Sequence, residues 1–332
     1  LRGAAAAVCL LAGATIAHAQ DKKLEPVTMA NPVVSLSFSL GYIADDLGLW
    51  AKHGLEVKTL EISGVGALNA VISGSVDFAQ PSGPSFTRAA SKGQRLLAIA
   101  MSTDRVSAQA VLRKDLAEAA GFDPQAPLEK RAQLLRGRTI AVESINSIIH
   151  AYALLLAKLG GYPADEIKIA VMQPPNMLAA FSTKAIDGFV MAPPWTQTPV
   201  LAGTAVRIAS GPDGDPPQLV PFANTILVTR PETCDKRPAV CEGMGRSFAE
   251  AAAYVKDHPA EAIALVRGRF KTLDDKLLAA AFEVTRTMMP SPPIPTKEAL
   301  ENDEVINVDA GFIKPEDKLT AFDGLYTDRY VR

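Results

Sequence analysis

Residues 67–77 (Ala-Leu-Asn-Ala-Val-Ile-Ser-Gly-Ser-Val-Asp) align without a gap on residues 177–187 (Met-Leu-Ala-Ala-Phe-Ser-Thr-Lys-Ala-Ile-Asp), 110 positions later. Each copy reads as a short helix, a turn, a β-branched residue and an Asp that opens a strand. Thr28-Met-Ala30 and Thr139-Ile-Ala141 likewise open each half, and a helix follows each. A period near 110 is too long for a solenoid, whose repeats run roughly 20–50 residues. The repeat therefore implies two similar lobes, and 332 residues suffice for two domains of about 150 residues each.

Apolar patterning around the repeat alternates between strand and helix. The first half reads as strands at 26–34, 55–62, 76–79 and 95–101, with helices at 40–53, 67–73 and 82–91. The second reads as strands at 139–142, 167–171, 189–190 and 206–209, with helices at 148–159 and 177–183. A strand at 225–228 precedes helices at 238–257, 259–270, 274–289 and 297–308. Repeated β-α-β units imply the α/β class: mostly parallel sheets flanked by helices. The helical tail holds no third repeat, so it is expected to return to the first lobe. Lobe one is then 24–105 plus 228–332, lobe two is 106–227, and the chain crosses twice. Open α/β sheets bind ligands beyond the carboxyl ends of their strands. Two such edges facing one another make a cleft.

The N-terminus reads as an export signal. Arg2 precedes an apolar run at 4–17, which ends Ala17-His18-Ala19 before Gln20, the small-x-small pattern of a cleaved leader. The run is too short to span a membrane. Residues 1–19 are expected to be removed after Ala19, leaving a soluble periplasmic protein. The chain starts at Leu1, so part of the basic leader is expected to be missing. Bulky Val8 before Cys9 disfavours lipidation there. In an oxidising compartment Cys234 and Cys241 are expected to form a disulfide.

Composition narrows the function. Lys and Arg total 34 against 36 Asp and Glu, so no excess of cations exists to grip nucleic acid. Four His and three Cys leave little material for a metal site, and none is expected. Gly-x-Ser-x-Gly, His-Glu-x-x-His, phosphate-loop and dinucleotide-binding patterns are all missing from the sequence. No catalytic residue and no cofactor are assigned, and the chain is read as a non-enzyme.

Tyr42-Ile-Ala-Asp-Asp-Leu-Gly-Leu-Trp-Ala-Lys-His-Gly-Leu-Glu-Val57 resembles a segment of periplasmic substrate-binding proteins of ABC importers, of the nitrate/sulfonate/taurine and thiamine-pyrimidine type. Residues 67–78, Leu135-Arg-Gly-Arg-Thr-Ile-Ala-Val142, residues 177–188 with Pro194, and the tail Gly311-Phe-Ile then Leu325-Tyr-Thr resemble further segments of that family in the same order. The resemblance implies a two-lobed (type II) periplasmic binding protein. It would be a monomer that captures a small organic anion or polar ring compound (sulfonate-, nitrate- or taurine-like) and delivers it to an ABC permease with its ATPase. An exported enzyme, a sensor-associated protein on the same fold, or binding of a pyrimidine precursor are the alternatives. The family's frequent Trp-Glu-Pro is Ala192-Pro193-Pro194 here, with Trp195 next, so ligand contacts of that Trp and Glu do not carry over.

The candidate contacts lie in the loops that follow strands. Gly64-Val65-Gly66 opens a helix whose free N–H groups and dipole suit an anion or a ligand oxygen. Ser37 and Phe38 follow the first strand, and Ser82 and Gly83 the third; Ser82 could equally serve as an N-cap. In the second lobe Ser144 and Asn146 join a strand to a helix, and Trp195 follows two prolines at a strand end. Asp104 and Asn224 occupy the expected crossovers, and Arg105 beside Asp104 leaves the charge preference of the cleft open.

Overall fold

Both halves of the chain are built around the same brace. The Asp77 carboxylate accepts from the Thr28 backbone N–H at 2.8 Å and hydroxyl at 3.0 Å, and the Asp77 N–H donates to the Thr28 carbonyl at 3.1 Å. In the second half the Asp187 carboxylate accepts from the Thr139 N–H at 2.9 Å, and the Asp187 N–H donates to the Thr139 carbonyl at 2.9 Å. The turn before each Asp uses a positive φ, 78° at Gly74 and 61° at Lys184. The sequence repeat is thus one local structure used twice.

The computed structural model describes residues 23–332. The expected leader, its cleavage site and Cys9 lie outside the described residues. Strands β1 (Glu25–Asn31), β2 (Leu55–Glu61), β3 (Phe78–Ala79) and β4 (Leu97–Thr103) belong to the first sheet. The second sheet takes β5 (Gln109–Arg113), β6 (Thr139–Val142), β7 (Lys168–Val171), β8 (Gly188–Met191) and β9 (Ala205–Ser210). The chain then returns, and β10 (Thr225–Thr229) joins the first sheet, ahead of the boundary expected at 228. The orders β2-β1-β3-β10-β4 and β7-β6-β8-β5-β9 correspond strand for strand. Helices flank both sheets, giving a two-lobed α/β fold.

Each sheet is mixed: four of its five strands run the same way, as expected of a mostly parallel sheet, and one runs against them. β1 pairs in parallel with β2 and β3, whereas β10 is antiparallel to β3 and β4. β6 pairs in parallel with β7 and β8, whereas β5 is antiparallel to β8 and β9. The cause is the crossover. A chain leaving one sheet at its cleft edge enters the other at its cleft edge, so the arriving strand runs away from the cleft while its neighbours run toward it.

Packing follows from periodicity. Helix Ile148–Leu159 buries Ile149, Tyr152, Leu155 and Leu156 at helical spacing in the core of the second lobe. Ser147 caps its first turn by accepting from the His150 N–H, and Gly161 follows its end at φ 73°. In the first lobe helix Pro238–Asp257 buries Met244, Phe248, Ala251 and Val255 against the core that holds Ile43 and Trp50. The Phe248 and Trp50 rings lie 5.9 Å apart. Helix Lys297–Asp309 straddles both lobes: Ala299 and Leu300 enter a first-lobe core, and Ile306 enters that of the second. No helix among the described residues is long and apolar enough to cross a membrane.

A disulfide joins Cys234 to Cys241 and ties the short helix Pro231–Lys236 to helix Pro238–Asp257. Closing so short a loop is expected to contribute about 2–3 kcal/mol through the unfolded chain. The double variant Cys234→Ala/Cys241→Ala should therefore lose about that much in urea unfolding at equal slope. An unchanged midpoint would contradict it.

Candidate ligand-binding site

The two sheets turn their carboxyl ends toward one another, and a cavity lies between them. First-lobe loops contribute Val33, Ser35, Ser37 and Phe38 after β1, Gly64 and Val65 after β2, and Gln80, Pro81 and Ser82 after β3. The second lobe contributes Glu143, Ser147, Ile148 and Ile149 after β6, and Met191 and Ala192 at the end of β8. Ser107, Asn224 and Thr225 from the crossing segments form the floor. The cavity leaves about 60 Å³ for the centres of water-sized spheres. One water needs roughly 10–15 Å³ on that measure, so the closed site holds a small solute and not an extended one.

Contacts between the lobes close it. The Arg88 guanidinium donates to the Asn146 carbonyl at 2.6 Å, the Gln173 amide to the Ser63 hydroxyl at 3.3 Å, and the Trp195 indole N–H to the Val34 carbonyl at 3.3 Å. Lys158 pairs with Asp309 at 2.5 Å. Gly64 sits at φ 57°, and a Cβ there would lie 2.3 Å from the Ser144 hydroxyl. Glycine is required at this position both for its backbone conformation and for the approach of the opposite lobe.

Helix starts surround the cavity. The loop residues above lead into helices Ser39–Asp46, Gly66–Ser73, Gly83–Ser91 and Ile148–Leu159. First-turn N–H groups have no intrahelical acceptor and carry the positive end of the helix dipole. Against these donors stands one carboxyl. Glu143 is 7% exposed, and its Oε2 has no hydrogen-bond partner. Burial pushes its pKa up from 4.5 to about 7, an effect reduced by the backbone N–H groups of residues 143 and 144 and by Ser147. Glu143 is the sole ionisable side chain lining the cavity among the described residues.

The cavity brings together Ser37, Phe38, Gly64, Val65, Ser82 and Asn224 of the sequence candidates. Ser82 makes no cap; its hydroxyl donates to Ser85 at 3.0 Å. Asn224 lines the floor, but its side chain is spent on the crossover: Oδ1 accepts from the Ser107 N–H and hydroxyl, and Nδ2 donates to Thr103 and Thr225. Six candidates lie outside the lining. Gly66 is the first residue of its helix and packs over Ile62. Gly83 is packed so closely on Asp303 and the Ala223 carbonyl that a Cβ would lie 1.9 Å from the Asp303 carboxylate. Asp104 takes part in the crossover, its carbonyl accepting from the Phe222 N–H and its carboxyl near Arg105. Ser144, Asn146 and Trp195 meet the first lobe at the rim. Sequence reasoning passed over Gln80, Ser107, Ser147 and above all Glu143. Its available signal was an acidic residue directly after the apolar strand Thr-Ile-Ala-Val.

A model of the NMT1-like family matches residues 25–267, well over half of the chain. The chain belongs to the NMT1-like family. A curated protein of Brucella abortus (strain 2308), named provisionally as a binding protein, is 29% identical over 218 residues. That match covers 61% of this chain and 61% of the relative's length. A structure from Bordetella bronchiseptica RB50 is similar at TM-score 0.76 and 17% identity, covering 92% of this chain and 96% of that one. The alkanesulfonate-binding protein of Xanthomonas axonopodis pv. citri, bound to MOPS, is similar at TM-score 0.67 and 16% identity, covering 89% and 96%. These solved structures share the fold of this NMT1-like chain.

The raised pKa of Glu143 makes stability depend on pH. The folded protein holds this proton more tightly than the unfolded chain. The resulting stabilisation is complete below pH 4.5 and lost as pH rises through about 7. Glu143→Gln carries no such dependence. It is expected to be more stable than wild type at pH 8, by as much as about 3 kcal/mol, and to match it near pH 4.5. Equal unfolding free energies at both pH values would contradict the burial of an ionisable carboxyl.

Proposed function

We propose that this chain is the periplasmic solute-binding component of an ABC importer. It captures a small organic anion or polar ring compound between its lobes and presents the loaded, closed form to a permease with its ATPase. The observation that supports this reading is the cavity itself: its walls come from both lobes, so neither half surrounds a solute alone. A solute that touches both walls binds the closed arrangement better than the open one, and that difference shifts the population toward closure. The Xanthomonas neighbour, an alkanesulfonate-binding protein bound to MOPS, supports a solute of the sulfonate class.

Capture is favoured over turnover by the state of the polar groups. His150 is buried on helix Ile148–Leu159, with its Nδ1 accepting from the Asn146 N–H at 3.1 Å and its ring beside Phe312. Burial and the Arg88 charge lower its pKa. The Ser147 hydroxyl, which lines the cavity with Glu143, is engaged in its helix cap: it donates to the Ser144 carbonyl at 2.9 Å and accepts from the His150 N–H at 3.2 Å. Calorimetry with taurine, alkanesulfonates, nitrate and aminopyrimidines, followed by recovery of the bound compound, tests the reading. Stoichiometric binding with intact solute is expected; accumulation of product would favour the enzyme.

Gly64→Ala tests closure within the same reading. The left-handed backbone costs an alanine roughly 1–2 kcal/mol in any arrangement. The collision with Ser144 arises only when the lobes meet. Solute affinity is therefore expected to fall tenfold or more, and Gly64→Ala/Ser144→Gly should recover much of it, a non-additive pair. No recovery in the double variant would place the defect in the first lobe alone.

A further inference from the structure

We propose that Glu143 selects solutes that carry a hydrogen-bond donor, an ammonium or a ring or amide N–H, at the end facing the second lobe. The inference rests on the reading of the chain as a solute-binding protein and names the chemistry its cavity requires. Glu143 lies at the end of β6 inside the cavity wall, with one carboxyl oxygen buried and without a partner. Buried carboxylates are normally paired, and an unpaired one carries a desolvation cost that a ligand donor removes.

The surrounding cations are committed elsewhere. Arg88, on helix Gly83–Ser91, donates to the Asn146 carbonyl and the Asn307 side chain and lies over the Phe312 ring. Arg105, at the crossover, is held by the Pro212 carbonyl. Arg269, from the helical tail, pairs with Asp45 and Asp46. His150, on the helix that starts beside Glu143, uses its Nδ1 for Asn146. No Lys, Arg or His lines the cavity among the described residues. The donor therefore has to come from the solute.

The first lobe presents the opposite character. The Ser37 hydroxyl and the turn at Gly64 and Val65 line its wall, and helix Gly66–Ser73 begins at that turn with the positive end of its dipole. A solute with an acceptor at one end and a donor at the other satisfies both walls. A bare anion satisfies only the first. It would meet Glu143 as a like charge, or bind only with Glu143 protonated.

Two isosteric pairs test the assignment on the purified protein at pH 8, where the carboxyl is ionised: taurine against 1-propanesulfonate, and 4-aminopyrimidine against 4-methylpyrimidine. Calorimetry is expected to show the donor-bearing member of at least one pair binding tenfold or more tightly than its isostere. Glu143→Gln should lose at least tenfold for that member and leave the isostere unchanged or tighter. The variant's unliganded melting confirms that it is folded. Equal affinities within both pairs, retention of affinity in Glu143→Gln, or no binding by either donor-bearing compound would overturn the assignment. Lobe closure by 1-propanesulfonate alone would overturn it while leaving the solute-binding reading in place. Failure of every solute tried to close the lobes would remove that reading itself.

Discussion

One buried amide, Asn224, holds together the two segments on which the architecture depends. Its side chain accepts twice from Ser107, on the outgoing crossover, and donates to Thr103 and Thr225, at the ends of β4 and β10. Its backbone N–H donates to the Thr103 carbonyl, and the neighbouring Phe222 N–H to the Asp104 carbonyl. A buried, fully satisfied network of this kind is rigid, because each lost bond leaves a desolvated polar group behind. The two chain crossings therefore form one neck. The closure proposed above would be taken up beyond it, in loop residues such as those at 211–221, with the sheets on either side moving as units. Helix Lys297–Asp309 adds a third link, because its apolar side chains enter cores of both lobes.

The same neck explains the chemistry of the cleft. Because each arriving strand runs away from the cleft, the parallel strands on either side end at it, and the helices that follow them begin there. Helix starts consequently gather on both walls as a result of topology, without any basic side chain in the lining among the described residues. Glu143 is the exception built into that pattern, a carboxyl at the end of β6 in a cavity ringed by helix starts. One of its carboxyl oxygens is buried without a partner, and an entering solute with a donor would satisfy it.

Much of this was legible in the sequence because the repeat carries the bracing residues themselves. Thr28 with Asp77 and Thr139 with Asp187 stand out as spaced identities in the amino-acid sequence, and they prove to be the same hydrogen-bonded unit. Helices 148–159 and 238–257 were legible to the residue, the first from its Ser cap and paired glycines, the second from its proline start. β5 was not legible. It has a counterpart in β10 and not in the neighbouring repeat, and Gln109 within it interrupts the apolar run because its amide bonds Ser210 and Thr196. The direction of side chains at strand ends was equally hidden. Asn224, expected as a ligand contact at a crossover, lines the floor with its amide engaged in bracing, whereas Glu143, which the sequence did not single out, lines the cavity. Both outcomes depend on which neighbours saturate a polar group, and those neighbours are distant in sequence.

The central claim is that a solute closes two lobes that cannot hold it separately. Spin labels at the exposed positions Lys58 on β2 and Lys168 on β7, one on each lobe, report this directly through pulsed electron–electron distance measurement. The account predicts a broad or longer distribution in the free protein that collapses to a single shorter distance at saturating solute. Identical distributions with and without a solute that calorimetry shows to be bound would contradict it.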